Sequence, residues 1–512
     1  MAELMIGWSE ADITPATDKS ISLAGQYYVR LTREIHSRLK TVAVAFSSGE
    51  KHFLLASMDN VGVAEAFQKL VREAVVALEP AIDPESIFIN AIHSHSAPSA
   101  KPPKKIKGAN AGVCKEVGNS DGRAVLNSLD SRELIRDKEN AVRSDIYTPE
   151  EYIAFVVPIM AQNLVAAWHD RQPGGIARAF GCARVGHCRR PVFADGTAEM
   201  YGDTTRLDFV GMEAGEDSGV DMLFTFDKTG RKTGMLLNVA CPSQVMESTY
   251  KVSSDFAGAT RELLKKEYGE EFHTLYQISP AGCQSPRDLV RHYTTEPDFW
   301  HEDGVAEIAN RLLAAVRNAR PGEIDYDPVF ERKSVRVTLP RRRVSWPDYR
   351  KAKAELARLL AIKDEDTAYA EFCANTHAAE KRGGHGPYDD KTEHFVCIKN
   401  QQAEVERFEN QDDVPTISFD MLVARIGDVA IASNPFELYL YYGQNIKARS
   451  KAHQTFLVQL AAGASIHAGY LPSPDAEKFG GYGGMVINGQ CGSDAGFMLA
   501  DRTVEEINEL FS

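Results

Sequence analysis

The sequence lacks the features of an exported, disulfide-stapled or membrane-spanning protein. Its eight cysteines include no Cys-x-x-Cys pair and no dense framework, which is typical of a reducing compartment. The chain contains no run of about 18 apolar residues. Its first residues, 1–8, show no basic region followed by an apolar run. We therefore expect a cytosolic protein that is neither exported nor membrane-spanning.

Positive charge is also scarce. The chain has 58 Lys and Arg against 72 Asp and Glu, a net charge of −14, and no basic stripe that would follow a phosphate backbone. We therefore expect a small-molecule substrate and no nucleic-acid partner. With 512 residues, 43% of them hydrophobic, the chain can bury a sizeable core in two or three structural units.

Periodicity predicts strands and helices in alternation. Residues 41–46, 53–57 and 86–92 have the composition of buried strands. Between the last two, the i, i+3, i+4, i+7 spacing predicts a helix with one apolar stripe. Its members are Phe67, Leu70, Val71, Ala74, Val75 and Leu78. This order indicates an α/β fold with helices flanking the sheets.

The same order returns twice more. Residues 235–240 and 275–278 are predicted strands on either side of a helix near 258–268. Residues 421–425 and 429–432 form a predicted hairpin, followed by a helix opening at Asn434. Because open α/β sheets carry their chemistry at the carboxyl ends of strands, we expect the site there.

Two stretches have the composition of insertions. Residues 101–147 are rich in Gly, Asn, Ser and charge without periodicity, which predicts a long loop or lid. Residues 345–400 open with Ser-Trp-Pro-Asp, an N-cap and early-proline pattern, and continue as a helical run.

His93 and His95 follow the strand at 86–92. Residues two apart on an extended chain point the same way, so two imidazoles share one face. Such a pair can supply one metal ligand and a second, proton-handling partner. A polar loop whose histidines only form hydrogen bonds is the alternative.

Other candidate residues also lie at or beyond strand ends, and each has a structural alternative. Glu437 is either a metal ligand or the acid of a capping box opened by Asn434. Ser285 stands on a tight turn near a reacting carbonyl or is an ordinary turn residue. Cys241 offers a thiolate for zinc or is a small buried residue.

Tyr470 and Tyr482 lie in glycine-rich surroundings that let a substrate approach closely, although both are equally compatible with half-buried loop aromatics.

Taken in order, these segments resemble the neutral, non-lysosomal ceramidase superfamily. Near its start the chain has Gly7-Trp-Ser-Glu-Ala-Asp12-Ile-Thr-Pro15, similar to that family's opening Asp-Ile-Thr-Pro. Ile92-His93-Ser-His95-Ser-Ala-Pro98 is similar to its Thr-His-Thr-His-Ser-Gly-Pro. Val252-Ser-Ser-Asp255-Phe-Ala-Gly258 is similar to its Ser-Ser-Asp-Phe-Pro-Gly run. Glu437 and the two tyrosines keep the family's positions. The resemblance spans nearly the whole chain and implies a single ceramidase-like catalytic domain over 1–512.

The resemblance also implies roles for individual residues. It makes His93, Glu437 and Tyr470 ligands of Zn²⁺, with Cys241 at the position of the family's second zinc histidine. The catalytic residues that it implies are His95, Arg189, Tyr482 and Ser285, where Ser285 is either a nucleophile or a substrate contact. Substrate contacts are expected from Gln284, Arg287 and Arg190.

The departures from the family concern the metal site as well as the substrate. Cys241 replaces a histidine, and Cys283 and Arg287 replace the family's Asp and Asn around the serine. At Cys241, either a thiolate holds zinc in place of an imidazole, or zinc has only three protein ligands, or the metal differs. With no export signal and no membrane-binding surface, we expect a zinc-dependent amidase whose small polar substrate is not ceramide. A hydrolase of an ester, lactone or glycosidic bond is the first alternative. A metal-binding protein without turnover is the second.

Overall fold

The computed structural model describes residues 3–26, 30–100, 145–290, 299–381, 393–461, 463–464 and 466–512. The strands are β1 Leu4–Asp12, β2 Ser20–Leu23, β3 Arg30–Thr32, β4 Lys40–Ser48, β5 Lys51–Met58, β6 Ile87–Ala91, β7 Ile146–Tyr147, β8 Gln172–Cys182, β9 His187–Cys188, β10 Pro191–Phe193, β11 Phe209–Met212, β12 Gly219–Asp227, β13 Lys232–Val239, β14 His273–Ile278, β15 Gln284–Ser285, β16 Phe330–Pro340, β17 Thr416–Ile426, β18 Val429–Ser433, β19 Glu437–Leu438, β20 Gln454–Val458 and β21 Tyr470–Leu471. The helices are α1 Glu65–Leu78, α2 Pro149–His169, α3 Asp255–Tyr268, α4 His301–Asn318, α5 Trp346–Ile362, α6 Glu365–Lys381, α7 His394–Asn410, α8 Leu440–Arg449, α9 Pro474–Phe479 and α10 Ser493–Leu510.

Two mixed sheets form the centre of the molecule. The larger has eight strands in the order β14-β13-β12-β8-β1-β4-β5-β6, and the smaller has four in the order β16-β17-β18-β20. Most neighbours are antiparallel, but β13 pairs parallel with β14, β5 with β6, and β18 with β20. Each parallel pair is linked through a helix, as parallel strands require.

The sheets stack face to face and helices cover both outer faces. On β4, Val42, Val44 and Phe46 join the core cluster that contains residues of both sheets, whereas Ala43 and Ala45 join the cluster beneath α1 and α2. This alternation follows from the two-residue period of a strand. Because both faces of the strand are buried, its sequence is an almost unbroken apolar run. The predicted α/β class, mixed sheets flanked by helices, is confirmed.

The larger sheet is curved, so its two edge strands approach each other. Oγ of Ser57 on β5 donates to the carbonyl oxygen of Tyr276 on β14 at 2.7 Å, and Nδ2 of Asn90 on β6 donates to the same oxygen at 3.1 Å. The backbone at Gln459 and Leu460 then contacts the carboxyl ends of both edge strands. Chain segments far apart in sequence therefore meet at one end of this sheet.

The predicted strands and the predicted helices before residue 300 are present, with differences in detail. Phe67, Val71 and Val75 of α1 are buried as expected, but Leu70 and Leu78 are 39% and 53% exposed, so the buried stripe is narrower than predicted. The insertion at 345–400 contains α5 and α6 and the start of α7, with Ser345 accepting a hydrogen bond from the Asp348 backbone at 3.2 Å. Most of the predicted loop at 101–147 lies outside the described residues.

Helix α2 is long and apolar enough to span a membrane by length and composition alone. Within the fold it packs on β1 and β4. Tyr152 donates from its hydroxyl to the carbonyl of Ile13 at 3.2 Å, and Asn163 donates to the carbonyl of Thr41 at 3.3 Å. These are the contacts of a helix that covers a sheet.

A buried ion pair joins the end of β5 to α3. Asp59 and Arg261 are 0% and 3% exposed, and both guanidinium nitrogens of Arg261 donate to the carboxylate. We expect Asp59→Ala to lower the free energy of unfolding by about 3–5 kcal/mol, because it leaves a buried charge without its partner. Urea denaturation measures this loss.

The exposed pair of Arg449 and Asp501, 44% and 59% exposed, supplies the control. Asp501→Ala should change the free energy of unfolding by less than about 1 kcal/mol. Similar losses for the two variants would contradict the importance of the buried pair.

Candidate active site

His93 and His95 lie on a loop that leaves β6. His93 has a left-handed backbone, with φ of 63°, and the next amide, that of Ser94, donates to the carbonyl of Asn60 at 3.0 Å. Nδ1 of His93 lies 2.7 Å from the carbonyl oxygen of Val61. Because a carbonyl only accepts, Nδ1 carries the proton and Nε2 keeps its lone pair. Nε2 of His95 lies 3.1 Å from that atom.

Glu437 and Tyr470 are brought together by strand pairing. They are register partners in the short parallel ladder of β19 and β21, and the Glu437 amide donates to the carbonyl of Gly469 at 3.0 Å. Oε2 of Glu437 lies 3.6 Å from Nε2 of His93. The imidazole therefore comes from a segment 344 positions before the carboxylate, and the phenol from a strand 33 positions after it.

The predicted helix opening at Asn434 is wrong. Oδ1 of Asn434 accepts a hydrogen bond from the Phe436 amide at 3.1 Å, which forms a turn, and the helix α8 begins only at Leu440. Glu437 is a strand residue and belongs to no capping box. The strand partner at 470, which the local sequence does not reveal, decides this conformation.

Arg189 lies between the parts of the site. Its Nη2 donates to the hydroxyl of Tyr470 and to the carbonyl of Gly282, both at 3.1 Å, and lies 3.9 Å from Oε2 of Glu437. Its Nη1 donates to the hydroxyl of Tyr201 at 3.4 Å. This guanidinium is 1% exposed, so its charge acts in a medium of low polarity, where charge interactions are strong.

The spacing of His93 and Glu437 suits a shared zinc ion. Two tetrahedral ligands, each roughly 2.0–2.2 Å from zinc, are separated by about 3.3–3.6 Å. Tyr470 adds a phenol oxygen to this pair. Within the described ranges no three His, Cys, Asp or Glu side chains are already arranged to hold a metal ion. The predicted zinc centre therefore depends on the phenol as well as on the commoner ligand types.

Cys241 has a different environment. Its thiol is fully buried and donates to the carbonyl of Val185 at 3.1 Å, and burial raises its pKa well above the ordinary value. The thiolate is the form that binds metals. No contact in the described part of the chain joins this sulfur to His93 or Glu437, so ligation by Cys241 stays a prediction.

Ser285 and Tyr482 lie on the two sides of Arg189. Oγ of Ser285 is 3.0 Å from the Tyr201 hydroxyl, which contacts Arg189. The ring of Tyr482 packs edge-on against that of Tyr470, with centroids 5.6 Å apart. Both side chains therefore lie near Arg189 and Tyr470, and their catalytic roles stay predictions.

The three predicted substrate contacts are mostly occupied within the protein. Arg190 is fully buried, pairs with Glu213 at 2.6 Å and donates to the carbonyl of Tyr482, so its contacts are those of a residue that holds the tyrosine loop. Gln284 donates to the carbonyl of Gly215 at 3.1 Å. Arg287 places its guanidinium 5.7 Å from the Trp300 ring.

Two site residues were missed by the sequence analysis. Glu247 is fully buried, and its Oε2 lies 3.2 Å from Nδ1 of His95 and accepts a hydrogen bond from Gln26 at 3.2 Å. Tyr201 contacts Arg189 and Ser285. Neither stands in a periodic or motif-like context. The only local signal for Glu247 was an acid soon after Cys241, a pattern that is far more common at protein surfaces.

Comparisons with known proteins support the fold. No protein-family model and no curated protein sequence matches the chain. The crystal structure of neutral ceramidase from Pseudomonas aeruginosa matches with a TM-score of 0.62 and 16% identity over 100% of this chain and 75% of that one. A ceramidase complexed with C2 matches with a TM-score of 0.62 and 14% identity over 100% and 76%. The resemblance predicted from the motifs is therefore confirmed as a ceramidase-like fold.

Gly25 leaves room for His95. Its φ is +99°, and a Cβ atom there would lie 2.5 Å from Cγ of the His95 ring. We expect Gly25→Ala to move that ring and to lower the free energy of unfolding, as measured by urea denaturation and a crystal structure.

Gly196→Ala is the matched control, because Gly196 has a φ of +80° and open space where the Cβ would be. Both variants carry the strain of a positive φ. Only Gly25→Ala also collides with His95, and this collision should lower its free energy of unfolding by about 1–3 kcal/mol more. Equal losses with an unmoved ring would rule out close packing at Gly25.

Proposed function

We propose that the protein is a zinc-dependent hydrolase that cleaves an amide bond of a small polar substrate other than ceramide. The observation that carries this proposal is the approach of His93 to Glu437, at 3.6 Å, beside Tyr470. All three side chains are buried, so they have lost most of their contact with water. A shared cation would compensate the cost of desolvating them.

The donor set fits zinc by its chemistry. His93 would bind through Nε2, because its Nδ1 proton is engaged by the Val61 carbonyl at 2.7 Å, the arrangement usual for metal-bound imidazoles. Glu437 and Tyr470 would supply oxygen ligands. A bound Zn²⁺ supplies Lewis-acid chemistry, since it polarises a carbonyl group and makes water a nucleophile near neutral pH.

The chain's own residues would stabilise the charge that develops during acyl cleavage. Arg189 presents a buried guanidinium beside Tyr470, and Tyr482 presents a second phenol. Preorganised donors of this kind act on the acyl oxygen as it becomes negative. His95 would accept a proton from the attacking water and return it to the leaving amine, with the carboxylate of Glu247 3.2 Å from its other ring nitrogen.

The character of the substrate follows from the side chains around Arg189. Tyr201, Gln244 and Ser285 form one connected polar group next to the guanidinium. The contacts within this group leave the Ser285 proton and Oε1 of Gln244 unused; a small polar amide could hydrogen-bond to both, and a long hydrocarbon chain could not. The amide bond is proposed because two solved structures similar to this chain are ceramidases, and the resemblance to that family implies amide cleavage.

Cytosolic location is part of the proposal. The thiols of Cys182, Cys188, Cys241, Cys283 and Cys491 form no disulfide within the described residues, and the last four are buried. Such thiols persist in a reducing compartment.

Removal of His93 tests metal binding. We expect His93→Ala to lower the zinc affinity by at least about 100-fold, since the loss of outer-shell partners alone costs 10–100-fold. Turnover should fall with the zinc content. Competition with a chelator and elemental analysis measure the first, and hydrolysis of an amide, ester and glycoside panel measures the second.

His169→Ala removes an exposed imidazole on α2 and should leave both quantities unchanged. If His93→Ala retained full zinc and full turnover, the proposed site would be wrong. If His93→Ala lost its zinc but the parent protein cleaved only esters or glycosides, the proposed metal site would be supported. The proposed amide substrate would then be wrong.

Arg189 is expected to act on turnover without affecting the metal. Arg189→Lys keeps the charge but cannot reach Tyr201, Gly282 and Tyr470 together. We expect kcat to fall about 10²–10³-fold at unchanged zinc content. Arg178→Lys, at an exposed pair with Asp428, is the control. A loss of zinc in Arg189→Lys would instead assign Arg189 to the assembly of the metal site.

A further inference from the structure

The hydrogen bonds at Tyr201 have a defined direction. Its hydroxyl receives Nε2 of Gln244 at 2.9 Å and Nη1 of Arg189 at 3.4 Å. Both are N–H groups that can only donate, so they use the two lone pairs of the phenol oxygen. The hydroxyl of Tyr201 in turn donates its proton to Oγ of Ser285, 3.0 Å away.

The same accounting applies to Ser285. Its Oγ receives the Tyr201 proton and, at 3.1 Å, the backbone N–H of Arg287. A serine hydroxyl has two acceptor positions and one proton, so only the proton remains available. A nucleophilic serine needs a base that takes this proton. Within the described part of the chain no such acceptor contacts Oγ of Ser285, which faces donors instead.

Tyr201 is held in this role by its surroundings. Its backbone has a φ of 57°, rare for an aromatic residue and unfavourable by about 1–3 kcal/mol, and its amide donates to the carbonyl of Arg189 at 2.8 Å. Burial and the nearby carboxylate of Glu247 raise the pKa of Tyr201 to about 12, so the phenol keeps its proton at neutral pH. Strained backbone at a polar cluster is typical of functional sites.

We propose that Tyr201 is a positioning residue for Ser285. It orients the Ser285 hydroxyl so that Ser285 donates a hydrogen bond to an oxygen of the substrate and does not act as a nucleophile. This inference rests on the proposed function for the existence of a substrate. It adds that the amide carries an acceptor oxygen, such as a hydroxyl group, besides its scissile carbonyl. Arg189 then lies between Ser285, which recognises this oxygen, and the proposed metal ligands Glu437 and Tyr470.

Covalent labelling tests the first part without any turnover. The zinc-loaded protein is incubated with a fluorophosphonate probe, which phosphonylates nucleophilic serines with loss of fluoride, and chymotrypsin in a parallel sample shows that the probe is active. We expect no phosphonyl group on Ser285 by peptide mass spectrometry. An adduct at Ser285 would overturn the inference.

Paired substrates test the second part. Glycolyl 4-nitroanilide carries a hydroxyl group that acetyl 4-nitroanilide lacks. We expect the parent protein to favour the glycolyl compound by about tenfold in kcat/KM, the value of one good hydrogen bond. Ser285→Ala, Tyr201→Phe and the double variant should all reduce the preference to about one, without additive losses, because both residues act through one hydroxyl.

Gln244→Glu gives an independent check on direction. A carboxylate only accepts, so it would take the Tyr201 proton and turn the serine proton towards the phenol. The preference should again disappear, while Tyr326→Phe, which removes a remote hydroxyl bonded to Asp227, should retain it.

A preference that survives in Tyr201→Phe and Gln244→Glu would overturn the positioning role. If neither anilide were hydrolysed, the amidase proposal would fail, and the labelling result would still decide whether Ser285 is a nucleophile.

Discussion

The buried guanidinium of Arg189 contacts both the proposed metal site and the serine region. Arg189 is almost fully removed from water, and a charge in such a place is tolerated only when polar groups surround it. The groups that do so are the Tyr470 hydroxyl, the Gly282 carbonyl and the Tyr201 hydroxyl, with the Glu437 carboxylate 3.9 Å away. Each comes from a different part of the chain. The polar groups around this one residue therefore include members of both the proposed zinc site and the serine region.

The fold supplies these positions through its curved sheet. Curvature brings the edge strands β6 and β14 within hydrogen-bonding distance, and the segment after β20 contacts the carboxyl ends of both. A flat sheet of eight strands would separate the two edges by seven strand spacings of about 4.8 Å each. Histidines that follow one edge strand could then not meet residues that follow the other.

The sequence predicted the local features of this architecture well. Strands such as β4 and β13 were recognisable because both of their faces are buried, which requires continuous apolar residues. The order of motifs also indicated His93, Glu437 and Tyr470, which the structure brings together. Glu437 nevertheless shows the limit of local patterns, because its apparent capping box is overruled by pairing with a strand 33 positions later.

Tyr201 and Glu247 could not have been found in this way. Their significance comes from contacts across 84 and 152 positions, with Ser285 and His95, and neither contact leaves a periodic signal. Cys241 is the reverse case. A resemblance indicated it as a ligand, but a thiol buried against the Val185 carbonyl is disfavoured as a thiolate.

His93, Glu437 and Tyr470 are proposed to bind one Zn²⁺ ion. A crystal structure of the zinc-loaded protein, with anomalous data collected on both sides of the zinc absorption edge, tests this proposal most directly. We expect one strong anomalous peak within about 2.0–2.2 Å of Nε2 of His93 and of a carboxylate oxygen of Glu437, next to the Tyr470 oxygen. A fully occupied zinc peak elsewhere, with no density between His93 and Glu437, would contradict it.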